Sequence, residues 1–257
     1  IADPLTDPKM PVIGSSGVPP PPAAVNVTGL HIASNRPPNG CPGSTSPATA
    51  ANPTGCDINF NRDKVVRIYP GVYYGGLKIR QTSAALTVYM APGIYYMSGG
   101  GFEVSGAVVL KSVDAATLLN PLPTTTGGGV LIYNTDNATT CPTSGTGCIR
   151  PVDFANTSGG EVRLLPYTGP TYTGMVIWQD RKASSQPAMS IEGNSSMTLK
   201  GAIYLPKADF KYTGNGSGNV LDAQVICDEF DVGGNGNLTI TYDPDDAVKI
   251  GGAGLVQ

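Results

Sequence analysis

Val66-Arg-Ile-Tyr-Pro-Gly-Val-Tyr-Tyr74 is followed 22 residues later by a close copy, Val88-Tyr-Met-Ala-Pro-Gly-Ile-Tyr-Tyr96. Nearer the C-terminus, a Gly-Asn pair recurs at Gly193, Gly214 and Gly234 with almost the same spacing. A unit this short cannot bury its own apolar face, so such units are stable only when they stack on one another.

Within each unit the apolar residues alternate with polar ones, as in Leu86-Thr-Val-Tyr-Met90 and Leu238-Thr-Ile-Thr-Tyr242. This alternation is typical of strands with one buried face. We therefore predict an all-β chain that forms a right-handed parallel β-helix of about 20–22 residues per coil, with roughly nine coils over residues 60–245. A β-sandwich or a barrel is the alternative, but neither explains a matched repeat. The prediction places four strand centres in one inward-facing row: Val66, Val88, Val109 and Leu131.

The composition agrees with a turn-rich β fold and excludes a helical bundle. The 257 residues include 34 Gly and 23 Pro, and only 14% are charged. We expect two regions: a Pro-rich extended arm with a disulfide-clipped loop over residues 1–60, and the β-helix over residues 61–257 with an inserted loop at 134–160. The Pro19–Pro22 run holds the arm in an extended backbone.

The arm carries apolar side chains, so it should bind a surface. It either lies along its own helix as a strap or pairs with the strand edge of a neighbouring subunit. The second possibility predicts self-association into a homo-oligomer or filament. The candidate subunit contacts are Leu5, Met10, Val12 and Ile13.

Cysteine spacing predicts two disulfides, Cys41 with Cys56 and Cys141 with Cys148. Neither pair has the Cys-x-x-Cys spacing of a zinc or thioredoxin site, and a chain with one His cannot complete a Cys/His cage. Disulfides indicate an oxidising compartment, and hence an extracellular or cell-surface protein. Cys227 alternates with apolar neighbours and is expected to be a buried small hydrophobe.

Asn-x-Ser/Thr triplets make glycosylation possible, although a chain rich in Gly, Asn, Ser and Thr also produces them by chance. The candidate positions are Asn26, Asn137, Asn156, Asn194, Asn215 and Asn237.

The charge distribution argues against a nucleic-acid partner. The net charge is −3 and the 16 basic residues are scattered, so no basic patch exists to meet phosphates. No apolar stretch reaches the 18 or so residues of a membrane-spanning helix. Because the chain begins at Ile1 rather than Met, we expect that an upstream segment preceded it.

Catalytic motifs are scarce, and no cofactor is expected. His31 lies in an alternating stretch and is expected to be a strand residue. Gly99–Gly101 and Gly127–Gly129 lack the helix and Lys of a phosphate loop. Many β-helices act on pectic polymers with clustered carboxylates, and the candidates here are Asp228 and Asp231, beside Glu229. A second acidic group reads as a turn, with a calcium site as the alternative: Asp243, Asp245 and Asp246.

The Tyr doublets 73–74 and 95–96 each place one ring on either side of a strand. We expect Tyr74 and Tyr96 to point outward. There they either pack across strands or form an aromatic ladder for carbohydrate or subunit contact.

Three motifs occur together and in order: Met90-Ala-Pro-Gly-Ile-Tyr-Tyr-Met-Ser-Gly-Gly-Gly-Phe102, Gly174-Met-Val-Ile-Trp-Gln-Asp-Arg181 and Ile191-Glu-Gly-Asn-Ser-Ser-Met-Thr-Leu-Lys-Gly-Ala-Ile-Tyr-Leu-Pro206. This combination resembles the C-terminal region of bacterial TadG-like proteins of tight-adherence (Flp-type) pilus assembly, over residues 66–256. The resemblance implies a cell-surface or secreted β-helix without an established enzymatic role.

The favoured hypothesis is a non-enzymatic extracellular structural protein, a subunit of a filament or pilus-like assembly joined through its N-terminal arm. The alternatives are a surface adhesin that binds carbohydrate and, third, a polysaccharide lyase or hydrolase that uses Asp228 and Asp231.

Overall fold

The computed structural model describes residues 31–32, 38–42, 44–59, 64–113, 129–141, 145–156, 159–169, 172–193, 196–214, 219–235 and 238–241. Strands dominate these ranges, with one 3₁₀ turn at Gly145–Gly147. No helix in them has the length and apolar character needed to cross a bilayer. The strands, in chain order, are β1 (His31–Ile32), β2 (Cys56–Asn59), β3 (Lys64–Ile68), β4 (Gly71–Tyr74), β5 (Leu77–Met90), β6 (Gly93–Ser98), β7 (Phe102–Ser112), β8 (Val130–Thr135), β9 (Val152–Asn156), β10 (Glu161–Leu164), β11 (Met175–Gln179), β12 (Met189–Gly193), β13 (Ser196–Leu205), β14 (Phe210–Gly214), β15 (Asn219–Cys227), β16 (Phe230–Gly233) and β17 (Leu238–Thr241).

The strands from β2 to β17 pair in parallel and form three stacks, so the described chain is nearly all β with a large parallel sheet, as predicted. Stack A contains β2, the first half of β5, the first half of β7, β9, β12, β14 and β16. Stack B contains β3, the second halves of β5 and β7, β10, and the first halves of β13 and β15, and ends with β17. Stack C contains β4, β6, β8, β11 and the second halves of β13 and β15.

Through the described residues the chain visits the stacks in the order A, B, C six times and then enters A and B once more. The sequence period predicted roughly nine coils, which is too many. The two segments that separate β7 from β8 and β8 from β9 use chain that the uniform period would have assigned to further coils.

Equivalent side chains line up from level to level. In stack A one row contains six residues that are at most 3% exposed: Ile58, Ile79, Val104, Phe154, Ile191 and Tyr212. In stack B the corresponding row is also buried: Val66, Val88, Leu110, Val162 and Met197. These rows form the main core, in which each level is sheltered by its neighbours.

The predicted row of Val66, Val88, Val109 and Leu131 is therefore correct only for its first two members. Leu110, not Val109, pairs with Val88. The register of β5 against β7 shifts between Gln81 and Leu86, where β5 contains more residues than β7. An offset of one residue turns a side chain to the other face of the strand. Leu131 lies in stack C, where it pairs with Ile94.

The predicted Gly-Asn corners do coincide: Gly193 pairs with Gly214, and Gly234 lies against the backbone of Gly214. The first three levels are also joined on their outer surface by ion pairs between neighbouring levels. Asp57 is paired with Arg80, and Lys78 with Glu103 at 2.9 Å. Because these groups are exposed, each contributes at most about 1 kcal/mol.

Both predicted disulfides are formed, Cys41–Cys56 and Cys141–Cys148. The first bond ties the segment before β2 to the opening strand of stack A, so the stack begins at Cys56, inside the range expected for the arm. β9 belongs to stack A as well, so the inserted loop ends before Val152 rather than at residue 160. His31 is a strand residue as expected, in β1, which pairs antiparallel with β3.

Candidate functional site

The outer face of stack C carries a row of large side chains, which we call the aromatic column. Its members pair level by level: Val72, Tyr96, Tyr133, Trp178, Tyr204 and Ile226. Ring centroids are 5.2 Å apart for Tyr96 and Tyr133, 6.3 Å for Tyr133 and Trp178, and 4.4 Å for Trp178 and Tyr204. Parallel pairing in register places these rings directly over one another, so they form one packed surface.

Part of this column is covered, although it faces away from the main core. Tyr172, from the turn before β11, packs against Tyr133 and Trp178, and these rings belong to a second apolar cluster. Burial raises the pKa of Tyr96, Tyr133 and Tyr172 above that of an ordinary phenol, and the negative charge of Asp180 raises the pKa of each further. These hydroxyls therefore stay protonated at neutral pH.

A cleft of about 760 Å³ lies at the first levels of the aromatic column. Its floor is formed by Val72, Tyr74 and Tyr96. One part of the wall comes from the segment after β8, including Asp136 and the disulfide Cys141–Cys148. Another part comes from the turn after β11, which contacts the first part through Ser184 and Asp136. This volume is in the range of small-molecule sites in proteins.

Two carboxylates line the cleft, and each is held by hydrogen bonds. Asp180 is 5% exposed; Thr135 Oγ1 donates to its Oδ2 at 2.8 Å, and the Lys182 amide donates to its Oδ1 at 2.9 Å. Asp136 accepts from the Ile149 amide at 2.7 Å and from both the amide and the hydroxyl of Ser184. The two carboxylates thereby brace the turn after β11 against the loop after β8.

The same corner has a stacked pair of buried amides, Asn134 and Gln179, which pair across the levels. Asn134 Nδ2 donates to the Arg150 carbonyl at 2.8 Å, and Gln179 Nε2 donates to the Pro187 carbonyl at 3.0 Å. These bonds satisfy backbone groups of the two segments that form the walls. The cleft is therefore fixed to the strands beneath it.

Metal binding has little support in this cleft. Asp136 lies with the sulfurs of Cys141 and Cys148, all within 4.8 Å of one another. Both sulfurs belong to a disulfide, so neither is the thiolate that a metal requires.

Of the residues singled out in the sequence, Tyr74 and Tyr96 do point to the outer face and both line the cleft. They do not lie over each other, because Tyr96 pairs with Val72, whereas Tyr74 pairs with Ser98. A shift of two residues keeps both rings on the same face.

The proposed catalytic acids do not line the cleft described above. Asp228 and Glu229 are exposed in the turn before β16, and Asp231 is exposed on β16 itself, whereas the cleft lies on stack C. Asp243, Asp245 and Asp246 lie outside the described residues.

Asn137 is a poor glycan acceptor in this fold. Its side chain is 1% exposed, and its Nδ2 donates to the Ala50 carbonyl at 3.0 Å. The side chains of the other candidate Asn residues, and the subunit-contact residues Leu5, Met10, Val12 and Ile13, lie outside what the structure describes. Cys227 is partly rather than fully buried, and burial raises the pKa of its thiol.

Sequence reasoning missed Asp136, Asp180 and the covering Tyr172. A signal for the two acids was present: Asp136 directly follows β8 and Asp180 directly follows β11. Ends of neighbouring parallel strands lie side by side, so two acids in these positions must meet. That conclusion needs the knowledge that β8 and β11 are neighbours, which the interrupted repeat concealed.

Comparison of the chain with protein-family models, with curated proteins and with solved structures found no match.

Proposed function

We propose that the chain is a right-handed parallel β-helix that serves as a non-enzymatic structural protein outside the cell or on its surface. We propose further that it is a subunit of a filament or pilus-like assembly, related to the TadG-like proteins that its motifs resemble. Two disulfides support an oxidising compartment. The enzyme alternative loses support because Asp228 and Asp231 are exposed away from the cleft.

The observation that carries the assembly proposal is the solvent exposure of the last described level of stacks A and B. Val232 continues the buried row of stack A and is 54% exposed. Ile240 pairs with Leu221 at the end of stack B and is 52% exposed. Phe230 is 40% exposed although it stacks on the fully buried Phe210. Core positions that face solvent on a strand edge form a surface to which another chain can add a strand.

In this proposal the occupant of that edge is the N-terminal arm of a second copy. The arm supplies Leu5, Met10, Val12 and Ile13; in an extended strand Met10 and Val12 share one face, and Leu5 and Ile13 share the other. Each subunit would then offer an arm and an acceptor edge. Such head-to-tail contacts produce open filaments.

Two variants test this proposal, one without residues 1–25 and one with Val232→Asp and Ile240→Lys. Electron microscopy should show filaments for the unaltered chain and discrete particles for each variant. When the two variants are mixed, each lacks a different half of the contact, so they should form pairs that do not elongate.

Circular dichroism and thermal unfolding of each variant provide the control for folding. Filaments formed by the variant without residues 1–25 would refute the role of the arm. Filaments formed by the Val232→Asp/Ile240→Lys variant would refute the role of the last level.

A further inference from the structure

The cleft on the aromatic column has a flat apolar floor. Tyr74 is half-buried there, and Tyr96, although 7% exposed, contributes to the same surface beside Val72. One face of the Tyr96 ring stacks on Tyr133 at 5.2 Å, and Val72 pairs with Tyr96 from the preceding level, so Tyr74 is the ring that the floor offers to a ligand. The face of an aromatic ring carries partial negative charge, so it attracts the C–H edge of a ligand that lies flat on it.

The walls offer mainly hydrogen-bond acceptors. Asp136 and Asp180 already accept from the protein, and their carboxylates can accept further bonds since each oxygen has two acceptor positions. The hydroxyls of Thr135 and Ser184 border the same space. A ligand suited to these walls carries several hydroxyl groups.

The charge of the cleft selects among hydroxyl-bearing ligands. Among the described residues, two carboxylates and one ammonium group, that of Lys182, line it. A carboxylated or sulfated ligand would meet more negative than positive charge, and repulsion at short range would oppose its binding. A neutral ligand has no such cost.

From this combination we propose that the cleft binds a neutral carbohydrate, with one sugar ring lying on Tyr74 beside Tyr96 and its hydroxyl groups donating to Asp136 and Asp180. A pyranose ring has an apolar C–H face and a rim of hydroxyls, which matches the floor and the walls. The site is built before binding, because Asp136, Asp180, Asn134 and Gln179 fix the walls to the strands. Preorganisation of this kind lowers the cost of binding. This role goes beyond the structural one and does not depend on assembly.

The test uses the full chain on an array of neutral and anionic oligosaccharides, followed by calorimetric titration of the best neutral ligand. We expect neutral glycans to bind and their sulfated or carboxylated counterparts to bind more weakly. Tyr74→Ala should weaken binding roughly 3- to 10-fold, as expected for the loss of one aromatic stack.

Two further variants test whether the ligand binds in the cleft. Ala138→Trp places a bulky ring in the cleft from an exposed position and should abolish binding without altering the core. Tyr89→Ala removes a partly buried Tyr of stack B, outside the cleft, and should leave the affinity unchanged.

An unchanged affinity in Ala138→Trp would show that the ligand binds elsewhere and would overturn the proposal, as would an array without a neutral ligand. If Tyr74→Ala fails to fold, Ala138→Trp alone decides. Preferential binding of anionic glycans would contradict the charge argument and with it the proposed ligand class.

Discussion

Gly100 lies in the turn from stack C to stack A, with a φ of +75°. A Cβ atom there would lie 1.8 Å from the Gly75 carbonyl oxygen of the level below. Both the backbone conformation and the contact between levels therefore require glycine. At the residue scale, the tight stacking of the coils depends on such positions.

We predict that Gly100→Ala lowers the free energy of unfolding by about 3 kcal/mol or more, since left-handed strain and a backbone clash add together. Two matched variants separate these causes. Gly159 has a φ of +89° with open space around it, so Gly159→Ala should cost only about 1 kcal/mol. Gly145 has open space and no positive φ, so Gly145→Ala should lie within about 0.5 kcal/mol of the unaltered chain. Urea unfolding measures all three, and equal losses would refute the role of the contact.

The sequence revealed the corner glycines only where they recur with Asn. Gly193 and Gly214 could be recognised from their spacing. Gly99–Gly101 could be recognised only as a cluster without a phosphate-loop pattern, because the contact that demands glycine comes from a residue on another level. Residue-scale constraints of this kind become visible once the register is known.

At the scale of elements, the sequence predicted which segments are strands and which side chains face the core better than it predicted which residues pair between strands. The alternating run Leu86–Met90 is the second half of β5, which crosses from stack A to stack B. The extra residues near the crossing move Leu110 rather than Val109 into the core. Period-2 alternation reports which side chains share a face, whereas a bulge changes the pairing without leaving a strong pattern.

The two disulfides act on different elements, so we predict different costs for removing them. Cys41 and Cys56 are buried in the main core, and their bond closes a separation of 15 residues, against 7 for Cys141–Cys148. Replacing Cys41 and Cys56 by Ser should cost about 3 kcal/mol from loop entropy, and more because two hydroxyls enter the core. Replacing Cys141 and Cys148 should cost about 2 kcal/mol.

Chemical denaturation under oxidising conditions compares the two pairs, and the unaltered chain after reduction provides the control. The second pair forms a wall of the cleft, so its removal should also weaken carbohydrate binding while leaving the strand content unchanged. If removing Cys141–Cys148 cost as much stability as removing Cys41–Cys56, or more, the assignment of Cys41–Cys56 to the core would be contradicted.

At the scale of the whole molecule, the sequence indicated a stacked fold but overestimated the number of levels. The units of 20 to 22 residues are regular near both ends of the repeat, as at Val66 with Val88 and at Met189 with Phe210. Between them, longer connections separate β7 from β8 and β8 from β9. A stack accepts such insertions at its corners, since a longer surface loop adds little closure entropy. Chain length therefore does not fix the number of levels.

The same stack makes the cost of a substitution depend on its level. Ile191 and Val232 occupy the same row of stack A, but Ile191 is 3% exposed and Val232 is 54% exposed. We predict that Ile191→Ala costs about 2–4 kcal/mol in the dissociated subunit, because it opens a cavity between two covered levels. Val232→Ala should change that stability by less than about 0.5 kcal/mol.

In the assembled form Val232→Ala should have a larger effect than in the dissociated subunit, since an added strand would bury Val232. Val232→Ala should then raise the protein concentration needed for filament formation, whereas folded Ile191→Ala should assemble normally. Denaturant titrations of dissociated subunits give the first comparison, and sedimentation across a concentration series gives the second. If Val232→Ala destabilises the dissociated subunit as much as Ile191→Ala, then Val232 is already covered within its own chain, and the last level is not free to receive an arm.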